Sequence, residues 1–302
     1  MGSTAPAPLG VIAHYNLLER LDPAGPGDLF RARDTHRGRT VTIRLLPGSF
    51  EADPDSRRAF VARAQTMIAT SHPNVTTVFD VGEQAGRLYL VFEFLKGQSL
   101  RAEMAGRAMN VRRAVELAVQ MADAIADAHA AGFIHGGLSP DSIVITAKGH
   151  AKIPPLEFAT RGGFDQNDGT SRLSDYDSPE EARGEAADER ADIYSIGAIL
   201  YEMLSTRRPP HRGAAAPSVS NRHVPPEVDD VVLRAVAPNP NSRLQSAATF
   251  AAELRSVSAI LDVRGGASDE DQEEPPAANV SRALLMTMLI LAAIGLLVWM
   301  VM

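Results

Sequence analysis

The stretch HGGLSPDSIVITAKGHAKIPPLE, residues 135–157, carries the reading that organises the rest of the chain. Two short segments read as strands, Ile143 to Thr146 and Ala151 to Ile153, flank Lys148-Gly149, the composition of a tight hairpin. Before it, Val111 to Ala131 places Val111, Ala114, Val115, Ala118, Met121, Ala122 and Ile125 on one face at helical spacing, and Gly132 closes the run. After it, Asp192 to Leu204 is apolar on nearly every face, which predicts a buried helix.

Moving towards the N-terminus, the pattern changes to that of strands. Thr40 to Leu46 alternates, and Arg87 to Leu95 is rich in Leu, Tyr, Val and Phe after a turn predicted over Gly82 to Gly86. One helix, around Ser56 to Ala69, interrupts them. The expected organisation is therefore an N-terminal tail over 1–14, a β-rich lobe over 15–95 and a helical lobe over 96–262. The fold class is α+β with two lobes.

Composition narrows the chemistry. The chain has 302 residues, 45% of them hydrophobic, enough for a large core. A formal net charge of -7 and a pI near 5.6 set aside nucleic acid as the partner, because phosphate neutralisation needs clustered Lys and Arg. With no cysteine there is no disulfide, thiolate nucleophile or Cys-based metal site, and the eight histidines show no paired ligand spacing. No metal is expected. Lysine occurs only at Lys96, Lys148 and Lys152.

Beyond the helical lobe, residues 263–282 are acidic and Pro-bearing, the composition of a solvated tether. Ala283 to Met302 is an unbroken apolar run, polar only at Thr287; at 1.5 Å per residue it reaches roughly 30 Å, the thickness of a bilayer core. It reads as a transmembrane helix. Arg264 and Arg282 precede it and no basic residue follows, which places the N-terminal domain in the cytoplasm. The N-terminus has neither the charged nor the apolar region of a secretory signal.

In order along the chain, SHPNV (71–75), HGGLSPDSI (135–143), SPE (178–180), DIYSIGAILYEML (192–204) and NSRLQSA (241–247) resemble a eukaryotic-type Ser/Thr protein kinase domain of the kind found in bacteria. The resemblance covers residues 15 to about 260 and implies a two-lobed kinase-like fold. Such enzymes need a glycine loop and a lysine for ATP, carboxylate and amide ligands for magnesium, and a base aspartate. At the aligned positions this chain departs from every one of these requirements. The glycine loop falls on Asp22, Ala24 and Gly27; the strand lysine on Arg44; its glutamate partner on Arg63. The base aspartate falls on Gly137, the phosphate-contacting lysine on Ser139 and the metal-binding asparagine on Ser142. The carboxylate that would hold the main magnesium falls on Pro155, within Pro155-Leu156-Glu157. The expectation is a pseudokinase.

What the resemblance retains is scaffold. Glu180 and Arg243 are expected to form a buried ion pair, Asp192 to brace the loop at 135–142, Gly197 to permit close helix packing and His135 to remain a core residue. Leu21, Gly27, Leu29, Thr42, Arg44, Phe92, Leu95 and Val144 would line a vestigial nucleotide cleft, or fill it as ordinary core. No cofactor is expected, with ATP binding in the absence of magnesium left open. Gly136 replaces the arginine that reads a phosphorylated activation segment, so Thr170, Ser171 and Ser174 would not switch the domain in the usual way, and one docking helix around 210–225 is expected to be missing. The expected role is a membrane-anchored protein-binding or regulatory module, with an active kinase of the same family as its candidate partner. The alternative is a divergent nucleotide-binding transferase or Ser/Thr kinase that uses non-standard residues such as Asp141 and Glu157.

Overall fold

The structure, a computed structural model, describes residues 9–21, 27–46, 54–69, 71–154 and 174–270. Its first lobe is an antiparallel sheet of β1 (Gly10–Ile12), β2 (Tyr15–Leu21), β3 (Asp28–Asp34), β4 (Arg39–Leu45), β5 (Val78–Gln84) and β6 (Arg87–Glu93), in the order β1-β2-β3-β4-β6-β5. Helix α1 (Pro54–Ala69) packs on it. The alternation in β6 shows why both faces are buried. Leu88, Leu90 and Phe92 join Leu46, Phe60, Ala64, Met67 and Val78 in one core with α1. Tyr89 and Val91 join Tyr15, Leu17, Ala32, Val41 and Ile43 in a second core on the other side.

That second face is covered because the sheet curls. Gln84, at the end of β5, reaches β1 at the opposite end of the strand order: its Oε1 accepts from Ala13 N and its Nε2 donates to Val11 O at 3.1 Å. Tyr15 Oη adds a 3.1 Å bond to Asp80. Strand β1 places Gly10–Ile12, within the expected N-terminal tail over 1–14, in the sheet of the first lobe. The turn expected over 82–86 narrows to Ala85-Gly86, both at positive φ, whereas Gly82 lies within β5 and lacks a side chain because Tyr89 occupies that space, 2.4 Å from where a Cβ would stand.

The second lobe begins with β7 (Gly97–Ser99) and α2 (Leu100–Met104), followed by α3 (Val111–Ala130), β8 (Val144–Thr146), β9 (Ala151–Lys152) and α4 (Pro179–Ala182). Helix α5 (Glu189–Ser205) is buried continuously from Ala191 to Ser205 and packs on α3. Its Gly197 lets α6 (Pro226–Ala235) approach: a Cβ there would stand 2.7 Å from Ala235 Cβ. Between α5 and α6 the chain forms only a 3-10 turn, Pro217–Val219. A compact unit ends at Ser258, within α7 (Ala247–Glu270); the helix itself continues to Glu270, so residues 263–270 are helical where composition predicted a tether. The remainder of that tether and the apolar run 283–302 lie outside the described residues, among which no helix is long and apolar enough to cross a membrane.

Residues 71–77 stitch the two lobes together. Ile153 O accepts from Thr76 N and Thr76 Oγ1, both at 2.8 Å, and Ile153 N donates to Asn74 O at 2.8 Å. Asn74 Nδ2 bonds Ala151 O at 2.8 Å and Gln120 Oε1 at 2.9 Å. Lys152 Nζ crosses from β9 to Glu93 Oε1 at the end of β6, 2.6 Å away.

Candidate functional site

The loop 135–142 between α3 and β8 is held from below by a buried carboxylate. Asp192, on the first turns of α5 and fully buried, accepts His135 N and Gly136 N at 2.7 Å each and lies 2.8 Å from His129 Nε2. Backbone amides need this partner because they are shielded from water. Gly136 has φ +65, a conformation that favours glycine. His135 is itself buried, with Nε2 3.4 Å from Pro154 O; burial pushes its pKa down, against the opposing pull of Asp192. A neutral imidazole in this position is a packing and hydrogen-bonding group.

Further along the loop, the hydroxyls are directed inward. Ser142 Oγ donates to Ser139 O at 3.0 Å and lies 3.4 Å from Ser139 Oγ, while Ser142 N and Ile143 N also close onto Ser139 O. No side-chain functional group exists at Gly137. Asp141 points outward, with its carboxylate 58% exposed, and faces Arg101 of α2 through two contacts of 3.4 Å.

Arg101 is the centre of a network that sequence reasoning missed. Its Nη1 bonds Glu202 Oε1 at 2.8 Å and its Nη2 bonds Tyr176 Oη, which also bonds Glu202. The guanidiniums of Arg101 and Arg208 both lie against the Tyr176 ring, 5.7 and 5.6 Å from its centre, and Arg208 pairs with Asp175. Burial, and next the hydrogen bond to Glu202, push the Tyr176 phenol up to about 12. The signal for this network is three-dimensional, since Arg101, Tyr176 and Glu202 share no local pattern in sequence.

In the first lobe, Gly27 has φ +91, and a Cβ there would stand 2.1 Å from Leu45 O. Its glycine is thus required by contact with the end of β4, whatever occupies the cleft. Leu21 pairs with Leu29 across β2 and β3, and Leu29 with Arg44 across β3 and β4. Arg44 is half-buried, and Arg63, expected beside it, is an exposed residue of α1. Thr42 lies opposite Phe92, whose ring packs among Phe60, Met67 and Val78, a core-filling position. Leu95 is half-buried after β6, and Val144 is in β8 opposite Ser99 and Lys152. Asp22, Ala24, Pro155, Leu156, Glu157, Thr170 and Ser171 lie outside the described residues. Ser174 is described, its amide donating to Asp177 Oδ2 at 2.8 Å.

Under the second lobe, Arg243 meets Glu180 through two 2.6 Å hydrogen bonds. Burial tends to raise the Glu180 pKa, but hydrogen bonding and charge from Arg243 outweigh it and hold the carboxyl below its ordinary value. Among the described residues no group of His, Asp or Glu is arranged to hold a metal ion.

A β-rich lobe stitched to a helical lobe, with a carboxylate-braced loop between them, defines the kinase fold, and the profile of the protein kinase domain matches residues 17–255: the chain belongs to the protein kinase family. Among its relatives, PknB, a serine/threonine-protein kinase of Mycobacterium tuberculosis, is 34% identical over 264 residues, which are 80% of this chain and 42% of PknB. SCO3848, a probable serine/threonine-protein kinase of Streptomyces coelicolor, is 32% identical over 257 residues, 77% of this chain and 38% of its own. The chain therefore spans about two fifths of the length of these relatives. The crystal structure of the Mycobacterium tuberculosis PknI kinase domain matches with a TM-score of 0.67 at 22% identity, covering 83% of this chain and 99% of that one, a likeness of fold.

Proposed function

We propose that this member of the protein kinase family is a membrane-anchored pseudokinase that works by binding another protein on the cytoplasmic side. The observation that carries the reading is the loop 135–142. Its backbone is braced by Asp192, yet Gly137 offers no functional group and Ser139 and Ser142 turn their hydroxyls onto the loop itself. A phosphotransfer site depends on positioned carboxylates and metal ions, and removing one such group costs orders of magnitude in rate. Arg44 adds a fixed, fork-shaped charge in place of a compact ammonium. No cofactor is required by this role; ATP without magnesium remains the ligand to test. The apolar run 283–302 and the arginines that precede it support a single membrane span with the domain in the cytoplasm. An active kinase of the same family is the partner we favour.

A second reading, a Ser/Thr kinase or related transferase working through non-standard residues, is favoured by the relatives, which are named as serine/threonine-protein kinases. On family likeness alone it is the better supported. Against it stands Asp141, the available carboxylate of the loop, which is engaged by Arg101.

The test is a thermal-shift titration of the purified chain with ATP, ATP plus magnesium or manganese, and metal alone, run beside a phosphotransfer assay, since a ligand that binds only the folded state raises its melting temperature. A metal-dependent ATP shift with phosphotransfer would establish the second reading. No metal-dependent shift and no transfer, in a chain that melts cooperatively, supports the pseudokinase.

A further inference from the structure

Between Glu202 and Glu227 the chain contains no aspartate or glutamate, but it contains Arg207, Arg208, Arg212 and Arg222 together with His211 and His223. A protein with formal net charge -7 thus gathers four arginines, and no acidic residue, within the connection between α5 and α6. The connection is well tied. Asn221 Nδ2 donates to Leu204 O at 2.9 Å, which brings the segment carrying Arg222 back to the last turn of α5, next to Arg207 and Arg208. Ser205 Oγ bonds Arg207 N at 3.2 Å, the His211 ring packs edge-on against Tyr194, and Ser218 N donates to Asp229 at 3.0 Å.

Arg208 pairs with Asp175, whereas exposed Arg207, Arg212 and Arg222 have no carboxylate at ion-pairing distance among the described residues. Val219, 75% exposed, stands in the 3-10 turn of the same connection. Compensation of the α5 dipole accounts for Arg207 and Arg208, which follow its last turn; it does not reach Arg212 or Arg222. A flat anionic membrane is served by clusters of about four to eight cations without nearby acids. Here Asp175 borders the cations, as do Glu227, Asp229 and Asp230 in the first turns of α6. Forked guanidiniums and one exposed apolar side chain carried on the same short connection, with acids on either side, suit a short peptide better than a lamella.

We propose that the connection 205–224 is a docking surface for an acidic peptide segment of a partner protein, with carboxylates on Arg207, Arg212 and Arg222 and an apolar side chain against Val219. The surface gives the proposed binding role a partner chemistry, yet it holds whether or not the cleft is silent.

The experiment is fluorescence anisotropy of the full chain with a labelled peptide of Glu and Asp around one central Leu, beside the same peptide with Gln and Asn. The acidic peptide should bind at least about tenfold tighter than the amide one, and weaken with salt. The R207E/R212E/R222E variant should lose about tenfold or more, R207Q/R212Q/R222Q part of that, and R37E/R107E, at exposed positions elsewhere, almost nothing. Each variant is first required to melt as the wild type does. Equal binding of the two peptides, or wild-type binding by both triple variants, overturns the proposal. So does failure of the acidic peptide alongside arginine-dependent binding to phosphatidylcholine vesicles containing phosphatidylglycerol, which would make the patch a lipid contact. None of these outcomes bears on the nucleotide titration, so the two proposals fail separately.

Discussion

Glu180 of α4 and Arg243, immediately after the 3-10 turn at 240–242, face each other with a guanidinium that is 0% exposed and a carboxylate that is 7% exposed. The same guanidinium bonds Ala237 O at 2.7 Å, Arg190 O at 3.1 Å and Pro238 O at 3.3 Å, and lies 4.9 Å from the centre of the Tyr194 ring. One side chain thus fastens α4, α5 and the approach to α7. Removing either partner strands the other charge out of water.

Arg243→Met is expected to lower the free energy of unfolding by about 3–5 kcal/mol, and Glu180→Leu by a similar amount. Urea unfolding followed by far-UV circular dichroism measures this. A loss within about 0.5 kcal/mol, the range of ordinary surface changes, would mean that the pair does not hold the lobe.

Acid should unfold the domain through two of these groups. Glu180 has its carboxyl held below the ordinary 4.5, so the stability it contributes is present above that value and is lost as pH falls through its lower folded value. His135 is also depressed, in its case by burial, so its contribution is present above the unfolded histidine value of about 6.5 and declines as pH falls below it. Melting temperature against pH should therefore begin to drop below about pH 6.5 and drop again below about pH 4.5. Replacing His135 with Phe should flatten the first step; an unchanged first step would assign it elsewhere.

Gly27→Ala should cost about 1–3 kcal/mol, because a Cβ at φ +91 is strained and would meet Leu45 O. The loss should be the same with and without ATP in differential scanning calorimetry. A loss confined to the ATP sample would return Gly27 to a phosphate-binding role.

Arg101→Ala and Asp141→Asn separate structure from chemistry in one ion pair between α2 and the loop 135–142. Asp141 is exposed, so its replacement should change stability by less than about 1 kcal/mol. Arg101→Ala removes the ion pair of Glu202, 10% exposed, and one hydrogen bond of Tyr176, and should cost about 1.5–3 kcal/mol. Chemical denaturation reads both. Phosphotransfer by the wild type that Asp141→Asn abolishes would establish the enzyme reading.

Much of this was legible in the chain because the signals were periodic or local. The stripe on α3 and the all-round apolar α5 appear where the spacing puts them, with Val111, Met121 and Ile125 buried as that face requires. The hairpin at Lys148-Gly149 follows from its turn residues, with Gly149 at positive φ. Strand β1 was not legible, since three residues after a Pro- and Ala-rich start carry no period, and besides its ladder with β2 it is tied by Gln84, more than seventy residues away. Helix α7 past residue 262 was missed because acidic and small residues read as solvent-exposed coil, although a preceding helix can extend into them. At the candidate site, the identities at Gly137, Ser139 and Ser142 were plain from sequence, whereas the ties that hold Asp141 and Tyr176 to Arg101 join residues 40 and 75 positions apart.

The amide of Gln84 has one more consequence. An outermost strand ordinarily exposes a row of unpaired peptide groups that any extended chain can extend, the start of aggregation. In this lobe a single glutamine side chain occupies one such group on the first strand, at Val11, and another in the turn that follows it, at Ala13, and so ties one end of the strand order to the other. A variant beginning at Tyr15 would lose that clasp, and β2 would become a seven-residue edge ready to recruit a neighbour. The short strand at the start of the domain thus guards a much longer one.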